Sequence, residues 1–199
     1  MNSTKNDRRR TSNLVKAFLT TTTLMTVSIA PALAAPTVKI VGAGYGGSGC
    51  PDGSANVTVS PDGQELSILF DQFIADGSKV RDSRKSCNLS IPIKVPAGFQ
   101  VSVYDFDYRG YVSPKTLGRL SAEYFFAGQR GPKALRNIRG EKDYAVRDRI
   151  KTLVWSGCGD SVNMRVNAGL SARGRGIATL DSVDVSHGLK YQIRYRACR

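Results

Sequence analysis

Histidine is almost missing from this sequence: His187 is the only one. A Ser-His-Asp or Cys-His arrangement, in which an imidazole takes the nucleophile's proton, would have to be built around that one residue, beside Gly188 in a turn. No Gly-x-Ser-x-Gly elbow presents a serine. Closely spaced cysteines are also lacking, which removes the CxxC-type pairs common in structural zinc sites. Beyond residues 1–34 no segment is apolar enough to cross a bilayer. Convincing long helices are absent too, and so is strand–helix–strand alternation. These gaps count against a catalytic nucleophile, a resident metal and a later membrane span, and no cofactor is expected.

What is present begins with charge. Lys5, Arg8, Arg9, Arg10 and Lys16 precede an uncharged stretch from Ala17 to Ile29, and Ala32-Leu33-Ala34 follows. Basic, apolar, small-residue is the order of a secretory leader, and the apolar part is too short to span a bilayer. Residues 1–34 are read as a signal peptide, with an uncleaved anchor as the competing reading. The protein is expected outside the cytoplasm, either extracellular or in the cell envelope. The chain holds 29 Lys and Arg against 16 Asp and Glu; with the five basic groups and Asp7 of the leader removed, 24 face 15, a net charge of +9. That excess favours anionic partners: acidic polysaccharide, a phosphate-rich envelope polymer or lipid headgroups. Export and the lack of a recognition motif argue against nucleic acid.

Four cysteines follow the leader: Cys50, Cys87, Cys158 and Cys198. An even, widely spaced set in an oxidising compartment reads as two disulfides. Three pairings satisfy four thiols. The sequential one, Cys50–Cys87 with Cys158–Cys198, closes two loops of similar length and is the expectation. Between the cysteines, short segments alternate apolar and polar residues: Thr37–Val41, Ala55–Ser60, Glu65–Phe73, Cys87–Val95, Phe99–Phe106, Val162–Leu170 and Tyr191–Tyr195. A period of two means one buried and one wet face, as in antiparallel sheets. Pro61-Asp62-Gly63 is a strong turn signal. Leu117–Phe126 is ambiguous between helix and strand, and Tyr124-Phe125-Phe126 tips it toward strand. The basic run Gly128–Asp148 reads as a long exposed connection before a strand at Lys151–Trp155. The fold expected is all-β, an antiparallel two-sheet sandwich of jelly-roll type with long loops. Its divisions are the signal peptide 1–34, a glycine-rich arm 35–54 and the sandwich 55–199.

One motif invites a different reading. Val38 to Gly47 runs an apolar strand into Gly42-x-Gly44-x-x-Gly47, the spacing of a dinucleotide fingerprint. Those glycines serve a pyrophosphate only where a helix N-terminus follows. Here Ser48-Gly49-Cys50-Pro51-Asp52-Gly53-Ser54 follows, which starts no amphipathic helix. The stretch is read as a flexible arm leading to a disulfide anchor.

Several strings recur in order along the chain: Gly47-Ser48-Gly49-Cys50-Pro51 with Gly53-Ser54, Ser60 to Gly63, and Leu66 to Phe73. They continue with Ser83 to Leu89, Val95 to Gln100, Asp107 to Gly110, Cys158-Gly159 and Cys198. Together they resemble DUF4360, a family of secreted domains of unknown function. The resemblance implies export, two disulfides and a β-rich fold, and implies no activity.

Candidate chemistry is concentrated between Tyr104 and Tyr111. Asp105 and Asp107 lie two apart, so on a strand both project from one face. Paired carboxylates serve glycoside hydrolysis, one as acid and the other as nucleophile or base. The competing reading is a turn with a local Asp–Arg pair, and a calcium site would need an Asp-rich loop of recognised spacing. Tyr104, Phe106 and Tyr108 would share the opposite face, with Arg109 and Tyr111 nearby, which suits stacking on sugar rings as well as core packing. The expectation is a non-catalytic binding or structural module for anionic surfaces or glycans. The alternative is a glycoside hydrolase-like enzyme using the acid pair. Asn56-Val57-Thr58 and Asn88-Leu89-Ser90 fit the glycosylation sequon.

Overall fold

Strands that alternate apolar and polar residues each have one face to bury, and two such faces close on each other. A computed structural model describes residues 37–103, 105–140, 142–149, 154–159, 161–185 and 193–198. Residues 1–36, Tyr104 and His187 lie outside them.

The first sheet has six strands. They are β1 (Lys39–Ile40), β2 (Gly44–Gly46), β6 (Arg84–Lys94), β9 (Leu117–Phe126), β10 (Lys133–Arg139) and β12 (Ser161–Arg173). Their order is β1-β6-β12-β9-β10, with β2 also on β6. The second sheet has seven: β3 (Ala55–Val59), β4 (Leu66–Phe70), β5 (Ile74–Asp76), β8 (Asp105–Val112), β11 (Lys142–Arg149), β13 (Ile177–Thr179) and β14 (Ser182–Val185). A ribbon of β7 (Phe99–Val103) and β15 (Ile193–Ala197) completes the set. Every pairing among the described residues is antiparallel. No helix occurs among them, hence none long and apolar enough to cross a membrane.

The alternation read from the sequence becomes the core. Leu66, Ile68 and Phe70 of β4 are buried with Leu89, Ile91 and Ile93 of β6. Leu120, Ala122 and Phe126 of β9 join Val166, Ala168 and Leu170 of β12 in the same cluster. The two disulfides take the sequential pairing, Cys50–Cys87 and Cys158–Cys198. At Pro61-Asp62-Gly63 the amide of Gly63 donates to the Ser60 carbonyl at 2.8 Å, and Gly63 holds φ at 71°, where a side chain would be strained.

Three expectations are corrected. The glycine-rich stretch is not a free arm, because Gly44–Gly46 pair with Asn88–Ser90 of β6. Close approach requires the glycines: the Gly49 amide donates to the Ser86 carbonyl at 2.8 Å, and a Cβ on Gly49 would fall 2.4 Å from the Phe73 ring. The run 128–148 is not a long connection but contains β10 and most of β11, one strand for each sheet. Its alternation is hidden because two core-facing positions are charged, Arg136 on β10 and Asp148 on β11. They lie 2.8 Å apart as an ion pair. The stretch 99–106 is not one strand, since β7 enters the ribbon while β8 enters the seven-stranded sheet. Of the strand expected at 151–155, residues 151–153 lie outside the described residues, and Val154 and Trp155 are not in a strand.

Candidate functional site

Strand β8 carries most of the group that the sequence singled out, and pleating divides it in two. Asp105, Asp107, Arg109 and Tyr111 share the outward parity. Phe106 and Tyr108 share the inward one and are 0% exposed. Their common face is therefore the core face, and they offer no ring to a sugar.

Both aromatics belong to a network that ties the sheets together. The Phe106 ring stacks on Tyr124 of β9, centroids 4.2 Å apart at an interplanar angle of 20°. The Tyr108 and Tyr124 hydroxyls share a short hydrogen bond, and Tyr124 donates to Asp148 Oδ2 at 2.9 Å. Arg136 Nη2 lies 2.8 Å from the other carboxylate oxygen. Burial pushes both phenols far above their ordinary range, with the Asp148 charge adding to it, so they remain neutral donors. No pattern within a single strand announces this network, whose members come from four strands.

The acid pair faces outward, and Asp107 is engaged. In register, Arg147 stands opposite Asp107 and Arg149 opposite Asp105. Arg147 grips Asp107 through two hydrogen bonds of 2.8 and 3.0 Å. Asp105 has one buried oxygen with no hydrogen-bond partner. Desolvation raises its carboxyl above the ordinary range, while Arg149 and Arg147 pull it down.

A concave site opens elsewhere, on the outer face of the six-stranded sheet. Strand register sets its residues in rows. One row runs Asn137–Arg119–Ser171–Arg84 across β10, β9, β12 and β6, and the next runs Leu135–Ser121–Gly169–Ser86. The second row has small residues on its three inner strands, which leaves a trough of about 750 Å³ floored at Gly169. A Cβ on Gly169 would sit 2.7 Å from the Ser121 hydroxyl oxygen. Arg84, Arg119 and Arg173 line the trough, and all three are exposed. None of them has a carboxylate partner among the described residues. Lys85, also in the lining, is held by Asp82 at 2.9 Å. No single strand reveals the trough, although β6, β9 and β12 each bring an arginine alternating with serine to it: Arg84 with Ser86, Arg119 with Ser121, and Arg173 with Ser171.

Residues 36–198 match the family described as a domain of unknown function, DUF4360. The chain belongs to that family. An uncharacterized secreted protein of Arthroderma benhamiae is 36% identical over 176 residues, which is 81% of this chain and 72% of that protein. This DUF4360 chain is secreted, and its two disulfides suit an oxidising exterior. Among solved structures it is similar to TmCBM61 in complex with β-1,4-galactotriose, at 11% identity and TM-score 0.34, covering 75% of this chain and 91% of that one. It is also similar to a family 11 carbohydrate-binding module from Clostridium thermocellum, at 12% identity and TM-score 0.25, covering 79% and 100%.

The chemistry open to the DUF4360 trough follows from its lining. Guanidinium groups offer planar forks that match carboxylate, sulfate or phosphate. Serine hydroxyls and the Asn137 amide both donate and accept, which suits sugar hydroxyls. Among the described residues the lining holds no carboxylate, imidazole or thiol, so no group there is suited to take a proton near neutral pH. A basic–aromatic contact lies at the ribbon, where Arg196 rests 4.3 Å over the Trp155 ring. Arg196 also donates to Gln100 at 3.0 Å, and Gln100 donates to the Ser156 carbonyl at 2.6 Å. That arginine already covers one face of the ring.

Proposed function

We propose that this secreted chain is a non-catalytic binding module that holds an anionic glycan in the trough of its six-stranded sheet. The observation that carries the reading is three arginines without acid partners among the described residues, around an uncharged floor. Unpaired cations gathered at one concavity raise the local concentration of an anion, and the overall basic charge adds long-range attraction. The test is retention on immobilised polygalacturonate, heparin and polyphosphate at low ionic strength, with Arg84→Gln, Arg119→Gln and Arg173→Gln combined in one variant. Wild type is retained and released as salt shortens the Debye length toward 10 Å and below; the triple variant elutes early. Failure of wild type to bind any of the three polymers at low salt overturns the reading.

A second reading, glycoside hydrolysis by Asp105 and Asp107, draws support from the raised carboxyl of Asp105. Against it stands Asp107, which would have to leave a two-bond grip by Arg147 before serving as nucleophile or base. Asp105→Asn with Asp107→Asn decides the matter: any turnover on a polysaccharide panel that survives the double change removes the acid pair from consideration.

A further inference from the structure

The surroundings of the trough differ along the strands, and the difference orients whatever lies in it. On one side stand Arg84 and Arg119, flanking Ser171 in a single row, with Arg173 two residues further along the same face of β12. On the other side the next row is Lys133–Glu123–Asn167–Asn88. There the charges cancel, Lys133 lying 3.6 Å from Glu123. The Asn88 and Asn167 side chains make no hydrogen bond among the described residues. Beyond them stands one more cation, Arg165, in register with Ser90 and Phe125. A ligand in the trough therefore meets uncompensated cations along one edge, and one that extends past the lining on the other side reaches the free amides of the next row.

Resting on the binding reading above, we propose that the occupant is a linear polyuronate lying across β10, β9, β12 and β6, its carboxylates toward the arginine row and its ring hydroxyls toward Asn88 and Asn167. Three features favour this over a bare polyanion. Guanidinium forks bind carboxylates bidentately. Free amides pair with hydroxyls, whereas charge alone would not require them. The row from β10 to β6 crosses three strand spacings, about 14 Å, longer than one sugar, so a polymer fills it and a monosaccharide does not. The floor at Gly169 is what lets a ring sit low enough to reach both edges.

The two edges make different demands on an experiment. Polygalacturonate oligomers of increasing length are titrated against the secreted chain, prepared from a bacterial host so that Asn88 carries no glycan. Affinity rises steeply from galacturonic acid to an oligomer that crosses the row, then levels off. Asn88→Ala with Asn167→Ala lowers affinity about tenfold, as loss of two hydrogen bonds implies, and leaves the salt dependence of binding unchanged. Arg84→Gln, Arg119→Gln and Arg173→Gln lower affinity and flatten the salt dependence, because fewer ionic contacts are left to screen. Polyphosphate, which has no ring hydroxyls, binds without sensing the asparagine changes. If the double asparagine variant binds polygalacturonate as wild type does, or affinity is indifferent to length, the polyuronate assignment falls while salt-sensitive retention still upholds the binding reading. If no anionic polymer binds at all, the binding reading itself has failed. Circular dichroism and an unchanged unfolding midpoint confirm that each variant is folded.

Discussion

Replacement of Asp148 by alanine tests whether the buried network fastens the two sheets. Its carboxylate has a side-chain exposure of 3% and meets Tyr124 on one oxygen and Arg136 on the other. Alanine leaves the buried Tyr124 hydroxyl without its acceptor, which costs about 1–3 kcal/mol. It also strands the Arg136 guanidinium, but that side chain is 46% exposed and regains water, so the full penalty of about 3–5 kcal/mol for breaking a buried pair does not apply. The expected loss is therefore about 3 kcal/mol, or a fall in Tm of about 6–12 °C for a chain of this size. Asp148→Asn keeps an acceptor for Tyr124 and loses about half as much. Asp107→Ala removes an ion pair of similar length from the outer face and costs at most about 1 kcal/mol. Urea unfolding with the disulfides intact measures all three. If Asp148→Ala falls within about 0.5 kcal/mol of wild type, the range of an ordinary surface change, the network is not holding the sheets. A loss at Asp107 equal to that at Asp148 would show that burial does not set the scale.

Asp105 carries a pH signature. Its folded carboxyl is raised above the ordinary value of 3.8, so folding favours the protonated form. Its stabilising contribution is present below the unfolded pKa and is lost as pH rises through the folded one. Asp105→Asn should therefore raise Tm near pH 7 and lose that advantage near pH 3; an equal gain at both pH values contradicts the burial argument. Cys158→Ser with Cys198→Ser opens a loop with a sequence separation of 40 and should cost about 4 kcal/mol, near 10 °C in Tm. A change in urea midpoint too small to resolve would mean that the ribbon of β7 and β15 is held by its other contacts alone. Gly169→Val places a branched side chain over the trough floor and should abolish polygalacturonate retention, with only a small fall in unfolding midpoint as the Ser121 hydroxyl turns away from it; full retention would move the binding surface elsewhere.

Uninterrupted alternation made much of the fold legible. Leu66, Ile68 and Phe70, and Leu89, Ile91 and Ile93, declared both their strands and their buried faces. Strands β10 and β11 stayed hidden because Arg136 and Asp148 occupy inward positions, and a pattern of polarity assigns a charged side chain outward unless its partner is known. That partner lies on the opposite sheet, beyond the reach of any short window. The trough was hidden for a related reason. Arg84, Arg119 and Arg173 each look like an ordinary wet position within their own strand, and only register across β9, β12 and β6 gathers them.

In β8 the signal was present and could have been used further. Alternation says which residues share a face, and the intervening residues say which face is wet. Asp105, Asp107 and Arg109 already marked the outward face, so Phe106 and Tyr108 had to be core. The same reasoning separates the two outer surfaces of the sandwich. On the seven-stranded sheet, Asp105 and Asp107 stand opposite Arg149 and Arg147, and Arg147 compensates Asp107 directly. On the six-stranded sheet the trough arginines have no acid opposite them, since their register partners are Ser171, Asn137 and Leu117. Under the binding reading proposed above, an anion would therefore be drawn to the face where these cations stand without acid partners among the described residues.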